Sequence, residues 1–180
     1  MPITVRPAVP ADGPAIGQVK VETWRCAYEH ILDPSVLASL DVAQEGVKWR
    51  DRLAEFSDKE KAWVACEDQR VIGYVVVGPN RFPEAPCDGE LQAIYVLPQY
   101  HGKGVGRLLM KPAVSWMIER DFESMAVFVF RDNPIGVGFY KSLGAEFHDS
   151  GSLEIAGKQY ADESYIWRSL RKLSSDLERT

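Results

Sequence analysis

The chain has 180 residues, 46% of them hydrophobic and 26% charged, with a formal net charge of −5. These values are ordinary for one folded domain, and the acidic balance argues against sequence-independent binding of nucleic acid or anionic lipid. The cysteines, Cys26, Cys66 and Cys87, are scattered without a C-x-x-C pair, which indicates reduced thiols rather than a disulfide frame or a zinc site. No apolar run approaches the ~18 residues of a membrane span and no secretory signal precedes the first strand, so we expect a soluble, cytoplasmic protein.

The amino-terminal third is predicted to hold one strand followed by helices. Residues 3–6 alternate as a short strand, and Asp12 is the expected N-cap of a helix that begins near Gly13. Residues 35–40 and 43–56 show the apolar spacing of two further helices.

The remainder of the chain alternates strands and helices. Residues 62–67 and 71–78 favour a strand pair, and residues 80–89 favour a loop that leads into a buried strand at 91–97. The later elements are predicted to be a helix from Val105 that is kinked by Pro112, a strand at 125–130, a short helix between Pro134 and Gly144, a strand at Phe147, and a strand at 160–167. Residues 172–180 are polar and are expected to fray. We therefore predict one domain at residues 1–170 and a polar C-terminal tail at 171–180.

The strongest local signal is the stretch at 90–107, ELQAIYVLPQYHGKGVGR. An apolar strand ends at a proline, three alternating glycines follow (Gly102, Gly104 and Gly106), and helical spacing begins at Val105. A helix that starts after such a turn directs unpaired N–H groups and the positive end of its dipole at one point. The pattern therefore predicts a site for phosphate or pyrophosphate.

Several interpretations of this turn compete. A P-loop is excluded because Gly104 follows Lys103 and no first glycine lies at the required distance. A dinucleotide fingerprint is disfavoured because the spacing is G-x-G-x-G and the turn lies past the middle of the chain. A plain strand-to-helix connection stays open, although three glycines weaken a helix start unless something needs the room. The third anion-binding pattern, Q-x-x-G-x-G, is satisfied by Gln99, Gly102 and Gly104.

With its flanking strand and helix, this motif closely resembles the acyl-CoA-binding motif of the GNAT family of N-acetyltransferases. A second block at 133–147, NPIGVGFYKSLGAEF, also resembles the family, and the likeness extends from the first strand to Tyr165. The resemblance implies an α/β (α+β) fold: a single GNAT-like domain with a mixed, mostly antiparallel sheet of six to seven strands, splayed at its centre and flanked by four to five helices.

The same resemblance implies transfer of an acetyl group from acetyl-CoA directly to a primary amine of a small molecule or peptide. A non-catalytic acyl-CoA sensor or interaction module on the same fold is the alternative. The acceptor stays open among a peptide N-terminus, a lysine side chain, a polyamine, an amino acid and an antibiotic, and a homodimer also stays open. No metal is expected, because the histidines lack H-E-x-x-H spacing, and the absence of G-x-S-x-G gives serine catalysis no support.

The resemblance also assigns the cofactor contacts. Exposed backbone on the central strand would bind the pantetheine arm and the acetyl group, with one N–H acting as an oxyanion hole, and the turn would bind the pyrophosphate. The expected cofactor-binding set is Ile94, Tyr95, Val96, Gln99, His101, Gly102, Lys103, Gly104, Val105, Gly106, Arg107, Asn133 and Tyr140.

Tyr140 is the candidate general acid. It follows Asn133 by seven residues, about two helical turns, so both side chains can face the cofactor. A phenol with an ordinary pKa of about 10 stays protonated at neutral pH and can donate to a departing thiolate. Simple packing beside Phe139 is the alternative. The block departs from the family pattern at Gly136, where a small alanine is usual, and at Gly138.

The proton of the acceptor amine needs a base, and Glu90, at the start of the central strand, is the candidate. A merely solvated Glu90 is the alternative, and Tyr95 is a second candidate to orient the amine. Trp24, Tyr28 and Glu29 are the expected substrate contacts, because an aromatic pair with a carboxylate suits a cation. Trp24 and Tyr28 also have the spacing of a core contact on a helix.

Overall fold

One mixed sheet of seven strands, in the order β1-β2-β3-β4-β5-β7-β6, forms the centre of the fold. The structure, a computed structural model, describes residues 2–179. The strands are β1 (Thr4–Pro7), β2 (Lys61–Glu67), β3 (Arg70–Pro79), β4 (Gly89–Val96), β5 (Met125–Phe130), β6 (Glu146–Ile155) and β7 (Lys158–Trp167). Neighbouring strands are antiparallel except β4 and β5, which are parallel. The predicted mixed and mostly antiparallel sheet is confirmed.

Helices cover both faces of the sheet. They are α1 (Gly13–Ala27), α2 (Pro34–Ala38), α3 (Val42–Ala54), α4 (Val105–Ile118), α5 (Pro134–Ser142) and α6 (Leu170–Glu178). Trp49 of α3 packs on Tyr74 of β3, and Trp116 of α4 packs on Trp63 of β2. Tyr74 pairs with Val64, the neighbour of Trp63 along β2, so Trp63 and Tyr74 point to opposite faces. The helices α3 and α4 therefore lie on opposite sides of the sheet.

The carboxyl-terminal segment is a helix. Leu170, Leu173 and Leu177 are buried at helical spacing, and α6 packs against α4. The expectation that residues 172–180 fray is therefore wrong over the described part of that range, 172–179. With α6 included, the described chain has six α-helices rather than four to five.

Asp12 does not cap α1 through its side chain. Its Oδ1 lies 2.7 Å from an Arg6 guanidinium nitrogen, and its Oδ2 accepts from the Val9 N–H at 2.9 Å. The hydrogen bond from Arg6 holds the pKa of the Asp12 carboxyl below its usual range. The carboxylate therefore ties β1 to the start of α1 instead of satisfying the helix.

The centre of the sheet is splayed, as predicted. Strands β4 and β5 are in register only at residues 89–90 and 125–126. On its other side β4 follows β3 to its end, interrupted by one bulge at Gln92. From this bulge onward β4 stays with β3 and leaves β5, which opens a gap in the middle of the sheet.

The helix α4 continues through Pro112, so this proline does not end it. Within residues 2–179, no helix is long and apolar enough to cross a membrane. The same residues bring no three His, Cys, Asp or Glu side chains together as metal ligands.

Candidate active site

The gap between β4 and β5 opens into a cleft of about 1000 Å³. β4 and β5 form its walls, while the start of α4, α5 and the end of α1 surround it. The predicted site residues that line it are Trp24, Tyr28, Ile94, Tyr95, Val96, His101, Gly102, Gly104, Val105, Gly106, Arg107, Asn133 and Tyr140. Most of the expected cofactor set is therefore brought together in one cleft.

The edge of β4 offers unpaired backbone to this cleft. Along an antiparallel pair, alternate residues bond to the neighbouring strand. The Leu97 N–H bonds to β3 at 2.9 Å, so the backbone of Tyr95 also faces β3, while Ile94 and Val96 turn their N–H and C=O groups away from it. No strand within residues 2–179 pairs with this edge of β4 beyond Glu90, and the Val96 carbonyl lies 2.9 Å from Nε2 of His101. The amides of Ile94 and Val96 therefore remain as donors toward the cleft.

The glycine turn adds a second group of donors. Gly102 and Gly104 have φ angles of 72° and 81°, in the left-handed region, and a methyl group at either would meet nothing within 4 Å. Backbone conformation, not crowding, therefore requires glycine there. Within the described chain the N–H groups of both glycines make no hydrogen bond, and Val105 and Gly106 hold first-turn positions that have no helical acceptor. Unpaired amides at the start of a helix are an arrangement that favours an anion.

Gly106 and Gly136 are required by close packing. A methyl group on Gly106 would lie 2.8 Å from the Phe139 ring, so this glycine lets α5 approach the first turn of α4. A methyl group on Gly136 would lie 2.8 Å from Nδ2 of Asn133, which accounts for glycine where the family pattern has alanine. At Gly138 a methyl group would meet nothing within 4 Å, so that position leaves room beside the cleft.

Asn133 caps α5 and keeps a donor available. Its Oδ1 accepts from the Gly136 N–H at 3.1 Å, which fixes the orientation of the side-chain amide. Its Nδ2 has no hydrogen-bond partner among the described residues, and the residue lines the cleft. The capping geometry therefore presents an amide donor to a ligand carbonyl or hydroxyl.

Tyr140 lies on the same helix and is 8% exposed. Its ring packs edge-on against Trp167 and Phe139, at centroid distances of 6.1 and 5.7 Å. Burial raises the pKa of its phenol above the ordinary value, so the hydroxyl stays protonated at neutral pH. Tyr140 both packs in the core and lines the cleft.

A second aromatic group lies on the α1 side of the cleft. The Tyr28 and Tyr95 hydroxyls are 3.3 Å apart, and burial raises the pKa of both phenols. Trp24 packs edge-on against Tyr28 at 5.2 Å, and its indole Nε1 is buried without a hydrogen bond in the described part of the chain. Both interpretations of Trp24 and Tyr28, core packing and cleft lining, therefore apply together.

Comparison with known proteins decides the family. The model of the Acetyltransferase (GNAT) family matches residues 22–145. The chain belongs to the GNAT family. It is 31% identical to the uncharacterised N-acetyltransferase YuaI of Bacillus subtilis, over 98% of this chain and 99% of that protein.

Solved structures of GNAT proteins share the fold. The PaiA N-acetyltransferase of Thermoplasma acidophilum, in complex with coenzyme A, aligns with a TM-score of 0.72 at 22% identity, over 91% of this chain and 98% of that one. YncA of Salmonella typhimurium, a putative acetyltransferase with its cofactor acetyl-CoA, aligns with a TM-score of 0.68 at 18% identity, over 93% and 94%. At these identities the likeness concerns the architecture of the sheet and helices.

Among the predicted site residues of this GNAT domain, Glu90 lies outside the cleft lining. It is 2% exposed, and its carboxylate accepts from the Arg81 backbone N–H at 3.1 Å and from the Arg81 guanidinium at 2.9 and 2.6 Å. Glu90 is thus neither solvated nor directed at the cleft. Its geometry is that of a structural ion pair that holds the loop between β3 and β4, and it disfavours a role as base.

Three other predicted residues lie outside the cleft, and a fourth lines it with its side chain hydrogen-bonded to α6. Glu29, Gln99 and Lys103 are exposed and do not line the cleft; the Lys103 ammonium lies over the Tyr100 ring instead. Arg107 lines the cleft, but its guanidinium donates to the Asp176 carbonyl of α6 at 3.1 Å. The side chains of the turn therefore contribute less to the cleft than its backbone does.

Asp162 lines the cleft from β7 but is not among the residues predicted from the sequence. It pairs in register with Phe130 of β5, a residue that is distant in sequence. The strand at 160–167 is predictable from its alternation, but its neighbours in the sheet are not. Only the strand order β5-β7-β6 brings this carboxylate to the site.

Proposed function

We propose that this GNAT enzyme transfers an acetyl group from acetyl-CoA to a primary amine, and that the acyl-CoA binds between β4 and α5. The observation that carries the proposal is the convergence of unpaired amides from Ile94, Val96 and the glycine turn on one cleft. When bound, the thioester supplies an activated acetyl carbonyl and a thiolate leaving group. The coenzyme A and acetyl-CoA complexes of related folds support the choice of ligand.

The residues of the turn suit a pyrophosphate. Its free amides and the positive end of the α4 dipole favour an anion, and Arg107 is the one Lys or Arg among the described residues that line the cleft. The hydrogen bond from Arg107 to α6 holds the first turn of α4 in place. We propose that α6 serves to brace the turn in this way. The assignment of residues 1–170 to the catalytic domain remains a prediction.

The backbone of β4 is suited to stabilise charge on the acetyl oxygen. Its free amides, at Ile94 and Val96, belong to a strand held by β3, so they need little reorganisation to receive that charge. One such donor contributes on the order of 3 kcal/mol in related acyl transfers. The bulge at Gln92 and the divergence from β5 are what leave these donors free.

Tyr140 is proposed to donate a hydrogen bond to the departing sulfur. Its raised pKa keeps the phenol protonated, and an ordinary thiol has a pKa of about 8.5, so the phenol acts mainly by stabilising the thiolate rather than by complete proton transfer. Asn133, which caps α5 and lines the same cleft, is proposed to hold the cofactor arm.

A non-catalytic acyl-CoA-binding module is the second candidate function. The two functions are separated by turnover: an enzyme releases free thiol from acetyl-CoA only when an amine is added, whereas a sensor binds acetyl-CoA without release. A thiol-release assay against a panel of amines, peptides and aminoglycosides tests this directly. Amine-dependent thiol release supports the transferase. Tight acetyl-CoA binding with no thiol release in the presence of any acceptor overturns it in favour of the sensor.

A further inference from the structure

The splayed sheet gives the cleft two chemically different sides. A methyl group on Gly136 of α5 would lie 3.0 Å from the Val129 side chain of β5, so Val129 faces α5. Phe130, the next residue along β5, points to the opposite side of the sheet. There Phe130 packs on Tyr28 at a centroid distance of 5.0 Å. If acyl-CoA lies along α4 and α5, as proposed above, the side toward α1 is left for the acceptor.

This acceptor side is aromatic and aliphatic. We call it the aromatic wall and define it by Trp24, Tyr28, Ile31, Phe128, Phe130 and Leu153, all of which line the cleft. Leu153 is 44% exposed although it is a large apolar residue. An apolar surface that is open to solvent inside a cleft favours a ligand with an apolar body.

Two acidic residues of the described chain line the cleft, Asp132 and Asp162, and Asp162 lies on the side of the aromatic wall. Asp162 is in register with Phe130, so the two side chains share a face of the sheet, and both line the cleft. Burial raises the pKa of its carboxyl, and nearby Glu84 raises it further. None of the described cleft residues on this side is a lysine or arginine. Among the described residues, no lysine or arginine forms an ion pair with Asp162. A half-buried carboxylate of this kind in an aromatic cleft suits an ammonium group.

We propose that Asp162 binds the ammonium group of the acceptor and removes its proton, and that the acceptor is a small primary amine attached to an aromatic or bulky aliphatic group. This inference rests on the proposed acetyl transfer. The ammonium gives one proton to the Asp162 carboxylate, directly or through one water. The amine lone pair then forms the new C–N bond as the C–S bond breaks. The second amine proton passes to the thiolate, and Asp162 returns its proton to solvent.

Gly151 provides an independent way to perturb this carboxylate. It lies opposite Asp162 in the register of β6 and β7, and a methyl group there would lie 2.7 Å from Oδ1 of Asp162. Gly151 does not line the cleft, so Gly151→Ala displaces the carboxylate without adding an atom to the lining. Glu163→Gln is the matched charge control, because Glu163 neighbours Asp162 on β7 and accepts from Tyr165 outside the cleft. Ser152→Ala is the matched control for β6.

The test compares 2-phenylethylamine with spermidine as acceptors, with coenzyme A affinity measured in parallel by calorimetry. We expect 2-phenylethylamine to be the better acceptor by at least about tenfold in kcat/KM, which corresponds to about 1.4 kcal/mol of transition-state binding. Asp162→Asn should lower kcat/KM by about 100-fold, a typical effect of losing a general base. Gly151→Ala should mainly raise KM for the amine. Coenzyme A affinity should stay unchanged in both variants, and both controls should match the parent.

Several outcomes overturn the inference. Spermidine as the preferred acceptor, or no turnover of 2-phenylethylamine, contradicts the acceptor class. Full activity in Asp162→Asn contradicts the role of Asp162, and if that variant fails to fold, the KM of Gly151→Ala decides the role alone. Absence of coenzyme A binding in the parent protein instead refutes the proposed function, so the two failures are distinguishable.

Discussion

Substitution of Gly104 by alanine tests the backbone anion site with the smallest change. At a φ of 81°, an L-residue costs about 1–2 kcal/mol relative to glycine. A methyl group would meet nothing within 4 Å, so the folded protein can either accept that strain or rotate the peptide and relieve it. Rotation of this peptide directs the amides of the glycine turn away from a bound phosphate. Each hydrogen bond lost to a charged group is worth about 1.5–3 kcal/mol. Coenzyme A affinity should therefore fall roughly 10- to 160-fold.

Gly157→Ala is the matched control. Gly157 has a φ of 78°, is equally open, and lies in the hairpin between β6 and β7, outside the cleft. Denaturant unfolding should show a loss of stability of at most about 1–2 kcal/mol in each variant, while calorimetry should show weakened coenzyme A binding only in Gly104→Ala. Equal affinities in the two variants would refute the assignment of the turn.

Three further substitutions test single residues. Tyr140→Phe should lower kcat by about 100-fold and leave coenzyme A affinity unchanged; Tyr165→Phe, outside the cleft, is its control, and an unchanged kcat in Tyr140→Phe removes the residue from the reaction. Glu90→Gln should lower Tm, because it weakens the pair with Arg81, yet keep kcat near that of the parent; a large loss of kcat at normal Tm would restore Glu90 as the base. The ordinary pKa of an aspartate is about 3.9, and the folded value of Asp12 is lower, so its stabilising effect is complete above that pH and is lost as pH falls below it. The Tm difference between the parent and Asp12→Asn should accordingly shrink from pH 7 toward pH 3, and a difference independent of pH would contradict the Arg6 pairing.

Elements with a dominant apolar pattern were predictable from the sequence. The strand at 125–130 matches β5 to the residue, because a continuous apolar run between polar ends is buried on both faces. The helix α6 was not predicted, because only Leu170, Leu173 and Leu177 are apolar in a polar segment. Its stability comes from packing on α4, and that contact is invisible in the local sequence.

The same distinction applies to the site. The turn amides are defined by glycine positions close together in the chain, so their arrangement follows from local backbone geometry. The environments of Glu90 and Asp162 depend on partners brought by tertiary folding. Glu90 has the carboxylate and position expected of a base, but the loop after β3 turns Arg81 onto it. Asp162 carried no motif, and only its pairing with Phe130 reveals it.

The most direct test of the backbone site is to follow amide chemical shifts by NMR while the protein is titrated with coenzyme A. We expect the amides of Gly102, Gly104 and Val105, together with those of Ile94 and Val96, to show the largest changes at saturation. Binding that leaves these amides unperturbed while others shift, or no binding at all, would contradict this expectation.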